Sequence, residues 1–326
     1  MFTNNRVTQL LGIQYPIIEG GMAHIGDGQL AAAVTNAGGL GQVAVSGFSP
    51  RKFQEEINIA TSLTKGSLGV NIPISNFFNT KDYFSVIEQE KDKIKAVSLS
   101  SGDPRPHIPV LKEMGLRVLV VVGSVQHALK AEEAGADIVI CEGFEAGGRN
   151  SPLELTLFSL IPAIEDKLSI PVVAAGGLSS GKGILGAIAL GAEGVQIGTR
   201  FIATIESRAH DSYKQELVLS NEESTTVVER SIGGINRVIK SEFVEKIKQV
   251  EENQSSFQEL YPYINGQRNR MAAIDGILSE GWVHAGQGTA LISNIDTTKN
   301  VIDEMVQKTV EAFEQMEEKM KAVTNK

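Results

Sequence analysis

The sequence predicts a (β/α)8 barrel with a lid inserted late in the chain, and three observations carry the prediction. Eight short apolar runs each end in a polar or glycine-rich stretch, segments of helical periodicity alternate with them, and a polar surplus is confined to residues 206–280. Such alternation builds a parallel sheet with crossover helices, and eight repeats favour closure over an open doubly wound sheet. At 326 residues the chain exceeds the roughly 250 of a plain barrel, which leaves room for one sizeable insertion.

The apolar runs place strands at Tyr15–Ile18, Leu40–Val45, Leu68–Ile72, Ile94–Leu99, Leu116–Val121, Ile138–Cys141, Pro171–Ala175 and Gly194–Ile197. Helices are expected over Gly28–Asn36, Pro50–Leu63, Ser124–Ala134, Leu155–Lys167 and Gly181–Leu190. Several run into small-residue stops, Asn36-Ala37-Gly38-Gly39, Glu133-Ala134-Gly135-Ala136 and Leu190-Gly191-Ala192, whose glycines suit the left-handed residue that ends a helix. From Glu206 to Gly281 the chain turns polar, with Asn221-Glu222-Glu223-Ser224 and Gln249–Gln258 rich in charge and amide, and its amphipathic stretches suggest a helical lid over the barrel mouth. Residues 1–205 and 281–326 then form the barrel and 206–280 the lid. Thr298–Lys321 reads as a closing amphipathic helix with Val301, Met305, Val310 and Phe313 on its apolar side.

In a barrel of this kind chemistry gathers at the loops after the C-terminal strand ends. Two of them, Ala174-Ala175-Gly176-Gly177-Leu178-Ser179-Ser180-Gly181-Lys182-Gly183 and Gly194-Val195-Gln196-Ile197-Gly198-Thr199-Arg200, end apolar runs in glycines. There backbone N–H groups can approach an anion without side-chain obstruction, at the position after strands 7 and 8 where barrels hold phosphates. The first strand leads into Glu19-Gly20-Gly21-Met22-Ala23-His24, whose glycine pair can set backbone N–H groups against a flat ring. Asn71 follows the third strand and can bond a heteroaromatic edge or a hydroxyl beside a phosphate. The fourth delivers Ser98-Leu99-Ser100-Ser101-Gly102-Asp103-Pro104, and the sixth Glu142-Gly143-Phe144-Glu145-Ala146-Gly147-Gly148-Arg149-Asn150. Each glycine taken singly is an ordinary turn; their co-location makes a site.

Composition narrows the function classes. A net charge of −9 without any Lys/Arg cluster argues against a nucleic-acid partner. No apolar run approaches the ~18 residues of a membrane span, and Met1–Gln9 lacks the regions of a signal peptide. The single cysteine, Cys141, excludes an intramolecular disulfide and suits a reducing cytoplasm. Its place inside a strand reads as a small core residue rather than a nucleophile. His107, His127 and His210 have no carboxylate or histidine partners at metal-ligand spacing and read as structural, so no metal is expected. His24 is a candidate proton donor or a helix-capping residue, and His284, in Trp282-Val283-His284-Ala285-Gly286-Gln287, is a candidate for the site wall.

Pro16-Ile17-Ile18-Glu19-Gly20-Gly21-Met22-Ala23, Gly69-Val70-Asn71, Glu142-Gly143-Phe144-Glu145-Ala146-Gly147-Gly148, Ala174-Ala175-Gly176-Gly177 and Gln196-Ile197-Gly198-Thr199-Arg200-Phe201 resemble the nitronate monooxygenase (formerly 2-nitropropane dioxygenase) family. That family includes FMN-dependent enoyl-acyl-carrier-protein reductases. The resemblance runs in order to about His210, resumes at Ala285-Gly286-Gln287 and is weak between. It implies one FMN per chain, with its phosphate on Gly176, Gly177, Gly198 and Thr199 and its ring over Gly21, Met22 and Ala23. Asn71, Glu142 and Gln196 would reach the polar edges and Gly286-Gln287 would complete the wall. Gly20, Gly147, Gly148 and Ala175 belong to the same expected cofactor-binding set.

Arg149 departs from the pattern, since the family commonly has His after this glycine pair. An Arg cannot remove the α-proton of a neutral nitroalkane. A nitronate arrives already deprotonated, so Arg149 is the candidate that attracts it and stabilises its charge, with neutral nitroalkane oxidation lost or slow. The alternative is an Arg149 that points to solvent or pairs with an acidic lid residue. The expected activity is oxidation of alkyl nitronates by O2 to carbonyl compounds and nitrite, on a small-molecule substrate, with a homodimer expected from the fold family. An enoyl-acyl-carrier-protein reductase is the second reading. It needs NAD(P)H and an acidic carrier protein as partner, for which the chain shows no conspicuous basic patch. A flavin oxidoreductase with another substrate, a non-catalytic flavin-binding protein and a flavin-free barrel for a phosphorylated metabolite stand further back.

Overall fold

The computed structural model describes residues 4–75, 79–253 and 256–324. Residues 1–3 of the N-terminal segment, and 254 and 255 within the charge-rich stretch of the lid, therefore lie outside the described residues. Eight parallel strands form the sheet: β1 (Ile17–Glu19), β2 (Gly41–Ala44), β3 (Leu68–Pro73), β4 (Ala96–Ser100), β5 (Arg117–Val122), β6 (Ile138–Glu142), β8 (Val172–Ala175) and β9 (Gly194–Ile197). A two-residue strand, β7 (Gly148–Arg149), leaves the barrel between β6 and β8. The sheet order is β1-β9-β8-β6-β5-β4-β3-β2, and a parallel bridge between Ile18 and Leu40 joins its two ends. The expected barrel is therefore present, nearly closed, with one thin seam between β1 and β2.

Alternation along the strands sorts the side chains. Ile18, Leu40, Ala96, Leu119, Ile138, Ile140, Val173 and Ala175 fill the barrel interior, and the helix Arg6–Leu11 plugs its base with Val7 and Leu11. The opposite faces pack on the surrounding helices. Pro50–Leu63 is representative: Pro lies in its first turn, the Ser49 hydroxyl accepts the Lys52 N–H at 3.3 Å, and Phe53, Ile57 and Ala60 recur on one buried face. The helix-ending glycines behave as expected, with φ of +97° at Gly38, +96° at Gly135 and +109° at Gly191.

The closing helix runs Thr298–Thr324 with a buried stripe of Val301, Ile302, Met305, Thr309 and Ala312. Val310, expected on that stripe, is exposed. The reason is close packing against the helix Gly181–Ala189, where a Cβ on Gly181 would stand 2.5 Å from the Lys308 carbonyl carbon. That seam takes Thr309, and the next residue lies about 100° around the helix.

The insertion is mixed rather than purely helical. Besides the helices Asp211–Leu219, Glu242–Glu252, Phe257–Ile264 and Gly266–Ala273 it holds β10 (Thr225–Val228) and β11 (Asn236–Ile239), an antiparallel pair. β11 also pairs antiparallel with β7, so the lid is stitched directly to the loop after β6. Its own core gathers Val228, Val238, Phe243, Val244, Ile247, Leu260, Ile264 and Trp282. Among the described residues no helix is long and apolar enough to cross a membrane.

Candidate active site

At the end of β8, Gly176 and Gly177 have φ of +108° and +68°, and a Cβ on Gly176 would stand 2.9 Å from the Ala146 amide nitrogen. Only glycine passes here without strain. At the end of β9, Gly198 leads into the short helix Thr199–Ile202. The N–H groups of Gly176, Gly177, Leu178, Gly198 and Thr199 donate to no described residue, although all five residues are half-buried. Half-buried, unpaired N–H groups from two adjacent strand ends form a cup of free donors, an arrangement that can receive an anion.

The chain returns to this cup after the lid. The Gly286 N–H donates to Thr199 Oγ1 at 3.0 Å and the Gln287 N–H to the Glu145 carbonyl at 2.8 Å. A Cβ on Gly288 would lie 2.6 Å from the Gly177 carbonyl oxygen. The Gly286-Gln287 wall is thus brought onto the cup.

The loop after β1 meets it from the other side. A Cβ on Gly198 would have Met22 Sδ 3.6 Å away as its nearest neighbour, and one on Gly21 would collide with Asn71 Oδ1 at 2.1 Å. Asn71 is fixed by donating to Ser98 Oγ at 2.8 Å. Gly20 lies against Gly198, with 3.5 Å between its Cβ position and the Gly198 Cα, and Ala175 tops the barrel interior. Ala23 is half-buried beside Met22. Gln196 is buried, with its Oε1 3.4 Å from Gln42 Nε2.

Below this surface lies a polar group that sequence reading passed over. Glu19 and Leu40 are joined by a Glu19 N–H donating to the Leu40 carbonyl at 2.9 Å, but the next ladder donor, the Gln42 N–H, goes to Glu19 Oε2 at 3.0 Å. The Gln42 side-chain amide in turn donates to the Glu19 carbonyl. A side-chain carboxyl therefore continues the ladder across the seam. Glu19 Oε1 and Gln42 Oε1 are both buried without a partner, and burial pushes the Glu19 carboxyl well above its ordinary range. The available signal was a carboxylate ending a wholly apolar run.

The loop after β6 supplies the remaining parts. Burial alone pushes the Glu142 carboxyl up to about 7. Glu145 accepts the Leu157 N–H at 3.1 Å and so caps the following helix. A Cβ on Gly147 would stand 2.7 Å from the Gly286 nitrogen, which locks this loop against the wall. Gly148 has φ +87° and pairs with Arg237 of β11, whose guanidinium donates to the Phe144 carbonyl at 3.0 Å and lies 4.5 Å over the Phe144 ring. Arg149, expected to attract an anionic substrate, forms an ion pair at 2.9 Å with Glu229 of the lid. This is the acidic lid partner of the alternative reading.

His24 neither caps a helix nor points free. Its Nε2 lies 3.2 Å from the Gly266 carbonyl, latching the β1 loop to the lid. Burial pushes its pKa down, so the imidazole is neutral and Nε2–H donates. His284 stands over Gly148: a Cβ there would meet its ring at 3.7 Å. His107 stacks on Phe84 at 5.0 Å, and His210 caps the helix Asp211–Leu219 by accepting the Ser212 N–H at 3.2 Å. Cys141 is buried with its thiol pushed up to about 12. Among the described residues no group of side chains suits a metal.

Comparison with known proteins adds to this geometry. The sequence matches the family described as Nitronate monooxygenase over residues 4–82 and 74–308. It is similar to a probable nitronate monooxygenase of Staphylococcus haemolyticus (strain JCSC1435), 36% identical over 296 residues, spanning 78% of this chain and 83% of that one. A probable nitronate monooxygenase of Staphylococcus aureus (strain JH9) is 32% identical over 292 residues, 77% of this chain and 82% of that one. Among solved structures, FabK from Thermotoga maritima superposes with a TM-score of 0.89 at 37% identity, over 97% of this chain and 99% of that one. A nitroalkane oxidase from Streptomyces ansochromogenes gives 0.83 at 26% identity, over 95% and 99%.

Proposed function

The chain belongs to the nitronate monooxygenase family, and on that premise we propose that it is an FMN-dependent oxidoreductase that oxidises alkyl nitronates with O2 to carbonyl compounds and nitrite. The observation that carries the proposal is the cup of five unpaired N–H groups at Gly176, Gly177, Leu178, Gly198 and Thr199. A phosphate satisfies them together and gives its charge the short helix of Thr199. Gly21, Met22 and Ala23 offer a flat platform beside it, because any side chain at Gly21 would displace Asn71. Asn71, Glu142 and Gln196 carry the polar groups for the edges of a planar ring, and Gly286-Gln287 closes the wall. When bound there, FMN supplies the redox chemistry, taking electrons from the substrate and passing them to O2. The protein orients the substrate beneath the stitched lid and limits water. The single buried free thiol suits a cytoplasmic setting.

A second reading is favoured by one observation, the likeness to FabK over nearly the whole chain. On that reading NAD(P)H delivers hydride, an enoyl thioester on an acyl carrier protein receives it, and a proton must be given to the adjacent carbon. An anaerobic absorbance titration of the purified protein separates the two. Bleaching of the flavin bands by ethyl nitronate is the expected result. Rapid bleaching by NADH or NADPH, with none by the nitronate, moves the protein to the reductase reading, and a colourless protein that takes up no FMN removes both.

A further inference from the structure

Glu142 ends β6 on the inward face of the barrel. Ile138 and Ile140 of that strand point into the interior, and the period of two carries the next such side chain to the mouth. Its register partner on β8 is Ala175, which pairs in turn with Gln196 of β9. The two polar side chains thus flank a single methyl group, and the cup glycines Gly176 and Gly177 follow that same Ala175. The backbones are tight here: the Gly143 N–H donates to the Ala175 carbonyl at 2.9 Å, and a Cβ on Gly176 would stand 3.0 Å from the Gly143 carbonyl oxygen. Other polar side chains of the mouth are committed, since Asn71 donates to Ser98 and Gln42 to the Glu19 carbonyl. Among the described residues the half-buried Glu142 carboxyl has no hydrogen-bond or ion-pair partner.

From this placement we propose that the Glu142 carboxyl takes up a proton when FMN enters the site and serves the bound cofactor as an O–H donor, so that cofactor loading is linked to pH. The inference rests on the reading of the cup as an FMN phosphate site. A carboxylate beside a bound phosphate sets a second negative charge near the first, and a cofactor over the mouth removes the water that the half-buried group still reaches. Both favour the neutral acid. The carbonyl oxygens and unprotonated ring nitrogens of a flavin are acceptors, which a carboxylic acid can bond and a carboxylate cannot. One proton passes from water or buffer to a Glu142 oxygen, and no other covalent bond forms or breaks.

The surroundings supply no compensating cation. On either side β5 and β8 bring only Val121 and Ala175 to the inward face, and Cys141 packs among the helices behind the sheet. On the following loop Glu145 is held by the Leu157 N–H, and Glu19 at the seam is bonded to Gln42. From the lid and the wall, Arg237 is bound to the Phe144 carbonyl, Arg149 to Glu229, and the neutral His284 ring stands over Gly148. Burial is accordingly the single cause that raises the Glu142 carboxyl, to about 7 before a cofactor binds. A ligand that prefers the acid raises it further. Affinity is then unaffected by this group below pH 7 and weakens as pH rises above 7, until the value in the complex is passed.

The test titrates flavin-stripped parent, Glu142→Gln and Glu142→Ala with FMN by fluorescence between about pH 7 and 9, a range in which the phosphate, with its second pKa near ~6, stays ionised. The parent Kd is expected to rise about tenfold between pH 8 and 9. Glu142→Gln, neutral at every pH and still carrying a donor, should bind close to the parent's affinity at pH 7 and lose the slope. Glu142→Ala should lose the slope too and bind about fivefold more weakly than the glutamine variant, the effect of one hydrogen bond. Calorimetry at pH 8 in Tris and in HEPES should count about one proton taken up per FMN by the parent and none by Glu142→Gln. A parent Kd that stays flat across the range, a Glu142→Gln protein with the parent's slope, or alanine and glutamine variants of equal affinity overturns the proposal and leaves the FMN assignment standing. A parent that takes up no FMN at any of these pH values removes that assignment itself.

Discussion

Arg149 and Glu229 meet across the boundary of barrel and lid, 2.9 Å apart, with the Arg149 side chain 63% exposed and the Glu229 carboxylate 1% exposed. The asymmetry decides what each residue does. Glu229 sits at φ +74° between β10 and β11, accepts the Asn236 amide at 2.7 Å, and has its carboxyl raised by burial while Arg149 pulls it back. Arg149 is thus the counter-charge of a buried carboxylate that anchors the ribbon stitched to β7.

Arg149→Ala is expected to destabilise the protein by about 1–2 kcal/mol at pH 7.5, less than a fully buried pair because solvent screens the guanidinium. The Arg149 interaction favours the ionised carboxylate. Its contribution is therefore present above the Glu229 pKa and disappears as falling pH protonates it, so the loss should shrink toward pH 4. Adding Glu229→Gln to Arg149→Ala should restore part of the stability at pH 7.5. Urea unfolding at both pH values checks this, and an equal loss at each would contradict the pairing.

Glu142 makes the opposite kind of prediction. Its pKa is raised to about 7 by burial, so folding without flavin carries no penalty from it below the unfolded value near 4.5. The penalty grows between there and about 7 and is constant above. In flavin-stripped protein, Glu142→Gln is expected to add about 3 kcal/mol at pH 8 and little at pH 4.5. A gain independent of pH would show that packing, not charge, limits this position.

His24 tests the latch. His24→Ala removes the bond to the Gly266 carbonyl and opens space against Gly47, where a Cβ would stand 2.1 Å from the imidazole Nδ1. The helix Gly266–Ala273 should then exchange its amide hydrogens about tenfold faster, the effect of roughly 1.4 kcal/mol, while the barrel strands are unchanged. Uniformly faster exchange would place His24 in the general stability of the fold instead.

These contacts also mark what a linear reading can reach. The barrel was legible because each strand is an apolar run and several helices stop at a glycine, as at Gly38, Gly135 and Gly191, so local chemistry repeats the global plan. The glycine-lined strand ends were legible for the same reason, as Gly176, Gly177 and Gly198 each follow a strand. The lid hairpin was not, because Thr225–Val228 and Asn236–Ile239 are four-residue strands set in polar sequence, and their pairing with Gly148-Arg149 is a tertiary event. The partner of Arg149, the ladder-continuing role of Glu19 and the ring of His284 over Gly148 join distant segments. Residue type and spacing alone carry no trace of them.

Gly198 separates the two demands made on a cup, folding and binding. Its φ of −111° is ordinary for any residue, and a Cβ there would have only Met22 Sδ, at 3.6 Å, and Met22 Cγ, at 3.8 Å, for company. Gly198→Ala should fold with stability within about 0.5 kcal/mol of the parent. The same methyl group projects beside unpaired N–H groups that an anion would approach, so FMN affinity is expected to fall about tenfold or more, equivalent to roughly 1.4 kcal/mol. Gly176→Ala is the contrast, since its φ of +108° and the 2.9 Å approach to Ala146 strain the fold as well. Thermal unfolding of the flavin-free proteins, set beside fluorescence titration with FMN, reads both effects. A Gly198→Ala protein that binds FMN as tightly as the parent would move the phosphate away from this strand end, and with it the footing on which the cofactor assignment stands.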